Sequence, residues 1–151
     1  MIWTPHVTVA TVVAQENRFL LVHETTDVGI AFNQPAGHLD PGETLIEAAV
    51  RETREETGWK VAIDRLLGVS LYDAPNGLTY LRTSFAATAL EQIPGAVLDK
   101  EILEAVWLTY EEILERLPHL RSPLVLSDIE RFRSGISYPL ELLANFNIHK
   151  N

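Results

Sequence analysis

The sequence predicts an α+β fold, a mixed β-sheet with helices packed on both faces. Three observations predict it: several short stretches rich in β-branched and apolar residues, one helix-patterned segment set early among them, and two or more helical segments near the end of the chain. Val7 to Ala14 is rich in β-branched residues and Arg18 to His23 is a second apolar run, with Gln15-Glu16-Asn17 between them, so the two read as a buried hairpin. Thr25 to Phe32 is a polar, glycine-containing connector. Asn33-Gln34-Pro35-Ala36-Gly37 follows as an edge strand or loop, because proline cannot donate to a ladder. Asp40-Pro41-Gly42 is a turn sequence.

A helix is predicted from Glu43 or Thr44 to Thr57, with Ile46, Ala49, Val50, Thr53 and Thr57 on one face and Gly58 placed to end it in a left-handed conformation. Val61 to Tyr72 and Leu78 to Leu90 form a long antiparallel pair around Asn76-Gly77. The segment from Ile93 to Lys100 is loop-like, and Glu101 to Thr109 reads as a strand. Thr109 caps a helix from Tyr110 to Leu117, with Glu111 and Glu112 in the favoured first turn and Pro118 as its stop. Ser122-Pro123 opens a helix to about Arg133, Ser134-Gly135 closes it, and Pro139 to Phe146 is predicted as a short amphipathic tail helix. No repeat or linker divides residues 1–151, which read as one domain.

Composition narrows the function classes. A hydrophobic fraction of 46% with 22% charged residues is that of a globular chain rather than a disordered or membrane one. Twenty-one acidic against 12 basic residues give a formal charge of -9, which repels a phosphate backbone and argues against duplex nucleic acid as a partner. The chain has no cysteine, which excludes disulfides, thiolate zinc sites and a cysteine nucleophile. The N-terminus lacks a basic leader region and no apolar run approaches the ~18 residues that span a bilayer, so the expected location is cytoplasmic.

The chemistry is concentrated in the early helix. Separations of three and four place Glu52, Glu55 and Glu56 on one face, where Glu52 and Glu56 repel and the last two sit at the helix end that disfavours negative charge. Local energetics oppose this arrangement, and a hard cation such as Mg²⁺, which takes carboxylate and phosphate oxygens, would reverse the sign. Arg51, four residues before Glu55, is spaced to orient that carboxylate by a bidentate contact.

Gly37, Glu43, Arg51-Glu52, Glu55-Glu56 and Gly58 stand at the spacing of the Nudix box, G-x5-E-x7-R-E-U-x-E-E-x-G-U, and the chain resembles the Nudix hydrolases. Thr53 and Trp59 depart from the aliphatic U positions and bear on packing of the helix rather than on chemistry. The segments FNQPAGHLD, LRSPLV and YPLELLANFN extend the resemblance to the small phosphatases of the NudJ type. The resemblance implies an α/β/α sandwich and an enzyme that hydrolyses phosphoanhydride bonds of small nucleotides by water attack on phosphorus. It implies nucleoside tri- and diphosphates, and a thiamine-precursor pyrimidine pyrophosphate, as substrates, and Mg²⁺ or Mn²⁺ as cofactor. Glu52, Glu55 and Glu56 would be the metal carboxylates, Glu56 foremost, with the carbonyl of Gly37 a further ligand. Arg51 would orient them and Glu43 would position the loop. A general base is also needed. Glu101, before Trp107, occupies a place matching the family's base outside the box, with Glu52 the competing candidate and Glu104 close by.

Candidate substrate contacts are Asn33, Gln34, His38, Tyr72 and Arg82, each with a turn, edge or surface role as its alternative; Asp73 and Phe32 join them with less to distinguish them. Trp3 and Trp107 read first as packing residues. Two other readings stay open: hydrolysis of ADP-ribose or dinucleoside polyphosphates, and a nucleotide-sensing module without turnover, against which the intact box counts. Monomer and homodimer are equally compatible with the sequence.

Overall fold

The computed structural model describes residues 1–148. Its organising strand is β1 (His6–Gln15), buried on both faces from Thr8 to Val13. The predicted hairpin to β2 (Arg18–Thr26) forms, yet the two strands pair only beside the turn, at Ala14↔Phe19 and Gln15↔Arg18. Beyond the turn they diverge, each pairing with its own neighbours within one mixed sheet. β1 pairs in parallel with β6 (Thr79–Gln92) from His6↔Tyr80 to Val13↔Ala87 and antiparallel with the short β4 (Ala36–His38). β2 pairs with β3 (Gly29–Asn33) and β7 (Ile102–Thr109). The segment read as a connector between Thr25 and Phe32 is therefore largely strand, because β2 runs on to Thr26 and a tight turn at Asp27-Val28 returns it as β3.

The long antiparallel pair expected around Asn76-Gly77 is present as β5 (Trp59–Asp73) with β6. Helices cover both faces. α1 (Leu45–Thr57) buries Ala48 and Ala49 against Val9, Leu66 and Phe85. α2 (Tyr110–Leu114) and α3 (Pro123–Arg133) cover the other side, where Ile113, Val125 and Ile129 meet Val12, Leu21, Leu67 and Leu108. The result is a mixed sheet between helical layers, as the sequence predicts.

Each cap has its chemical cause. Thr44 and Glu47 form a reciprocal capping box at the start of α1, and Gly58 ends it with φ 75°, a conformation that favours glycine. Thr109 with Glu112 repeats the box on α2, which ends sooner than predicted and gives way to a 3-10 turn over Leu117–His119. The tail differs more. Tyr138 is bonded to the Leu66 backbone in both directions, and only a 3-10 turn at Leu140–Leu142 forms within the predicted helix. Thr53, at a normally aliphatic position, is fully buried because its hydroxyl donates to the Ala49 carbonyl at 2.7 Å and meets the Thr11 hydroxyl at 2.9 Å. Trp59 packs edge-on against Trp107 with centroids 5.6 Å apart. Trp3 does not pack, being largely exposed.

Candidate active site

Helix α1 sets Glu56 and Glu52 against Ala36 and Gly37 of the short strand β4. Glu56 is buried, not part of a solvated face, and accepts the Ala36 amide hydrogen at 2.8 Å. Burial pushes its carboxyl up to about 9, and Glu24, Glu52 and Asp99 add like-charge repulsion that the Ala36 bond only partly offsets. Glu52 is raised by the same causes, desolvation first, against the opposing Arg51. Carboxylate oxygens of Glu52, Glu56 and Asp99 all lie within 4.8 Å of one another.

Asp99 is the member the sequence did not reveal. It sits in the segment read only as a loop, and its amide donates to the Glu55 carbonyl at 3.0 Å, so backbone contact with the end of α1 brings it in. Glu55 stands outside the trio, and its Oε2 accepts from Arg51 Nη1 at 3.2 Å.

Arg51 is the centre of the positioning network. Its bidentate partner is Glu43, through Nε at 2.8 Å and Nη2 at 2.7 Å, rather than Glu55 as the i,i+4 spacing predicts. The remaining donors reach Glu52 Oε1 at 2.9 Å and the His38 carbonyl at 2.9 Å. Glu43 in turn accepts from the Asp40 amide at 2.7 Å, and these contacts hold its carboxyl below the usual range. One guanidinium thus ties the loop before α1 to the carboxylate of Glu52.

Gly37 lies directly against Glu52, where a Cβ would run into the carboxyl carbon and both oxygens. Its lack of a side chain is what lets the β4 backbone approach the cluster. Gly37→Ala is expected to leave the fold intact and lower turnover about 10²-fold, the cost of displacing a catalytic group by about 1 Å. Steady-state kinetics beside a thermal melt checks this, and a wild-type rate would show that the Glu52 position is not critical.

The donor set fits a hard divalent cation, being all oxygen, gathered, and mutually repulsive without one. Beside it opens a cavity of about 590 Å³, lined by Glu24, Asn33, Gly37, His38, Tyr72 and Arg82 among others. The Nudix-domain family profile matches residues 4–126. The chain belongs to the Nudix hydrolase family. Phosphatase NudJ of Escherichia coli strain K12 is 46% identical over 144 residues, covering 95% of this chain and 93% of that protein. A Nudix hydrolase from Nitrosomonas europaea is 40% identical with a TM-score of 0.92, covering 95% and 98%. An ADP-ribose pyrophosphatase from Streptococcus suis, 20% identical with a TM-score of 0.65 over 89% and 94%, shares the fold.

Within this Nudix hydrolase the predicted substrate contacts divide. Asn33, His38, Tyr72 and Arg82 line the cavity. Gln34 does not: it is 1% exposed and its amide is engaged by Asp128 at 3.0 Å, the Val125 carbonyl at 3.5 Å and Arg82 Nη2 at 2.6 Å. Arg82 is itself buried, paired with Asp128 at 3.2 Å, while Ser84 donates to the same carboxylate at 2.6 Å. Burial lowers the Arg82 guanidinium from its usual range and Asp128 opposes the shift. His38 is exposed and shares a 3.2 Å contact with His6. Phe32 stacks on His23 with centroids 4.3 Å apart, so that ring already has an aromatic partner. Asp73 accepts from Thr79 at the hairpin end. Glu101 is exposed, close enough to Glu24 and Asp99 to repel them, and outside the trio. Among the cavity residues that sequence reasoning missed is Glu24, which carries no motif spacing and is brought to the site only by the sheet.

Proposed function

We propose that this Nudix hydrolase cleaves phosphoanhydride bonds of small nucleotides, nucleoside tri- and diphosphates first among them, with Mg²⁺ or Mn²⁺ held by Glu52, Glu56 and Asp99 and the Gly37 carbonyl. The observation that carries the reading is the gathering of three carboxylates against Ala36 and Gly37, which line a nucleotide-sized cavity. The 46% identity to a protein named Phosphatase NudJ supports it. When bound, the cation neutralises phosphate oxygens and acidifies water. Arg51 keeps Glu52 turned toward the Gly37 backbone, and Glu43 keeps Arg51 in place. Glu56, fixed by the Ala36 amide, is the most buried carboxylate of the set. The nucleotide pool such an enzyme draws on places it in the cytoplasm in this reading, acting as a monomer or homodimer on small molecules.

The proton of the attacking water goes to Glu101 or to Glu52. Glu101→Gln is expected to lower kcat about 10²-fold with KM unchanged, within the range for a lost general base. A wild-type rate transfers the role to Glu52. The proposal as a whole is tested by a phosphate-release screen over nucleoside di- and triphosphates, ADP-ribose and pyrimidine pyrophosphates with Mg²⁺, with products identified by phosphorus NMR. Release from nucleoside di- or triphosphates is expected; no metal-dependent release from any of them would sink the reading.

A further inference from the structure

Two acceptors in the cavity have bonding capacity that the protein leaves unused. Glu24 sits in β2 where the pairing with β7 shifts register between His23 and Glu24, an irregularity of the kind that re-aims a side chain. Among the described residues its side chain takes one hydrogen bond, from Asn33 Nδ2 to Oε1 at 3.3 Å. Asn33 Oδ1 is buried and has no donor at all. The bond to Glu24 fixes which way the amide faces, since turning it over would set two oxygens against each other. Asn33 therefore presents an acceptor, and a buried acceptor left unmet costs free energy. Both residues line the cavity beside the acidic cluster.

We propose that Glu24 and Asn33 form a specificity site for the part of the substrate outside its phosphates, and that this site takes a group presenting two adjacent hydrogen-bond donors. The assignment rests on the phosphoanhydride reading above and adds to it the chemistry of the leaving moiety. A carboxylate beside an amide oxygen favours a donor-bearing group over another acceptor, while Arg82 and Arg121, whose charges act on Glu24, line the same cavity. The phosphates go to the metal cluster and the donor pair to Glu24. Two parts of a nucleotide carry adjacent donors: the N1–H and 2-amino edge of guanine, and the 2′,3′-diol of ribose. Tyr72 and Tyr80 line the same cavity and offer apolar surface to either.

The test is equilibrium binding by calorimetry to the wild-type protein, using α,β-methylene diphosphates that cannot be hydrolysed. Guanosine, inosine and 2′,3′-dideoxyguanosine forms are compared with the divalent metal present. The inosine form lacks the 2-amino donor, and the dideoxy form lacks the diol. Guanosine is expected to bind tightest, with a loss of about tenfold or more for one of the two analogues, as for a site built around a substrate N–H or O–H. The analogue that loses affinity identifies the source of the donors. Glu24→Gln, similar in shape, is expected to abolish that discrimination. Equal affinities for all three ligands in the wild type, or discrimination that survives in Glu24→Gln, overturns the proposal. Because no turnover is involved, absence of phosphate release with selective binding intact would count against the hydrolytic reading alone.

Discussion

Glu56→Gln is expected to lower Mg²⁺-dependent turnover about 10³-fold while raising the melting temperature of the metal-free protein. The loss of rate follows from removing the most buried carboxylate of the cluster, a ligand in the proposed metal site, since a metal supplies several kcal/mol of charge stabilisation to such a reaction. The gain in stability follows from the burial itself. Folding lifts the Glu56 carboxyl from 4.5 to about 9, so between those values the folded chain holds a proton that the unfolded chain has released. Its contribution to stability is intact below pH 4.5 and is lost as pH rises toward 9. In the presence of a chelator, the wild-type melting temperature should fall more steeply from pH 5 to 9 than that of Glu56→Gln. Added Mg²⁺ should raise the wild type and leave the variant nearly unmoved. Thermal melts across pH with and without metal, beside initial rates, decide both halves. An unchanged rate would remove Glu56 from the site, and parallel pH slopes would refute the cost of its burial.

Asp128→Ala is expected to destabilise the fold by about 3–5 kcal/mol, the cost of leaving one partner of a buried ion pair uncompensated. Asp128 and Arg82 are nearly inaccessible, with side-chain exposures of 2% and 7%. Removing the carboxylate also leaves the Ser84 hydroxyl and a Gln34 amide hydrogen without their acceptor. Urea unfolding of the single variant and of Asp128→Ala with Arg82→Met checks the cause. The double variant should recover most of the loss, because it removes the stranded charge as well. A double variant no better than the single one would mean that the hydrogen bonds, not the charge, carry the effect.

These two residues show where sequence reading reaches and where it stops. The α1 carboxylates were legible because their spacing along one helix fixes them relative to each other, and the caps at Thr44, Gly58 and Thr109 because each is a local interaction. Asp99 was not legible, since a backbone bond between two unpatterned segments places it. Glu43 was not recognised as the bidentate partner of Arg51 for a related reason: it lies outside the helix, where i,i+4 counting does not apply, and the loop folds it back. Strand alternation puts Tyr80, Arg82 and Ser84 on one face of β6, yet nothing in that pattern says that α3 covers the middle of the face and leaves a cavity at its end. Gln34 and Arg82 look alike as sequence, polar residues in apolar surroundings, and only the tertiary packing separates the engaged amide from the cavity wall.

The parallel pairing of β1 with β6 has a consequence for assembly during synthesis. It joins the start of the chain to a strand beyond its middle, and the whole box lies in the loop so closed. Ala48 and Ala49 of α1 rest on Val9 and Phe85, one from each strand of that pair. A nascent chain that has emerged only as far as Thr79 contains every residue of the box but lacks the strand that completes the helix's platform. Closing so long a loop costs entropy before its contacts repay it, which makes this the slow step expected of the fold. Asp99 emerges later still. The acids that define the site are encoded early and close together, and the chain gathers them only near the end of folding.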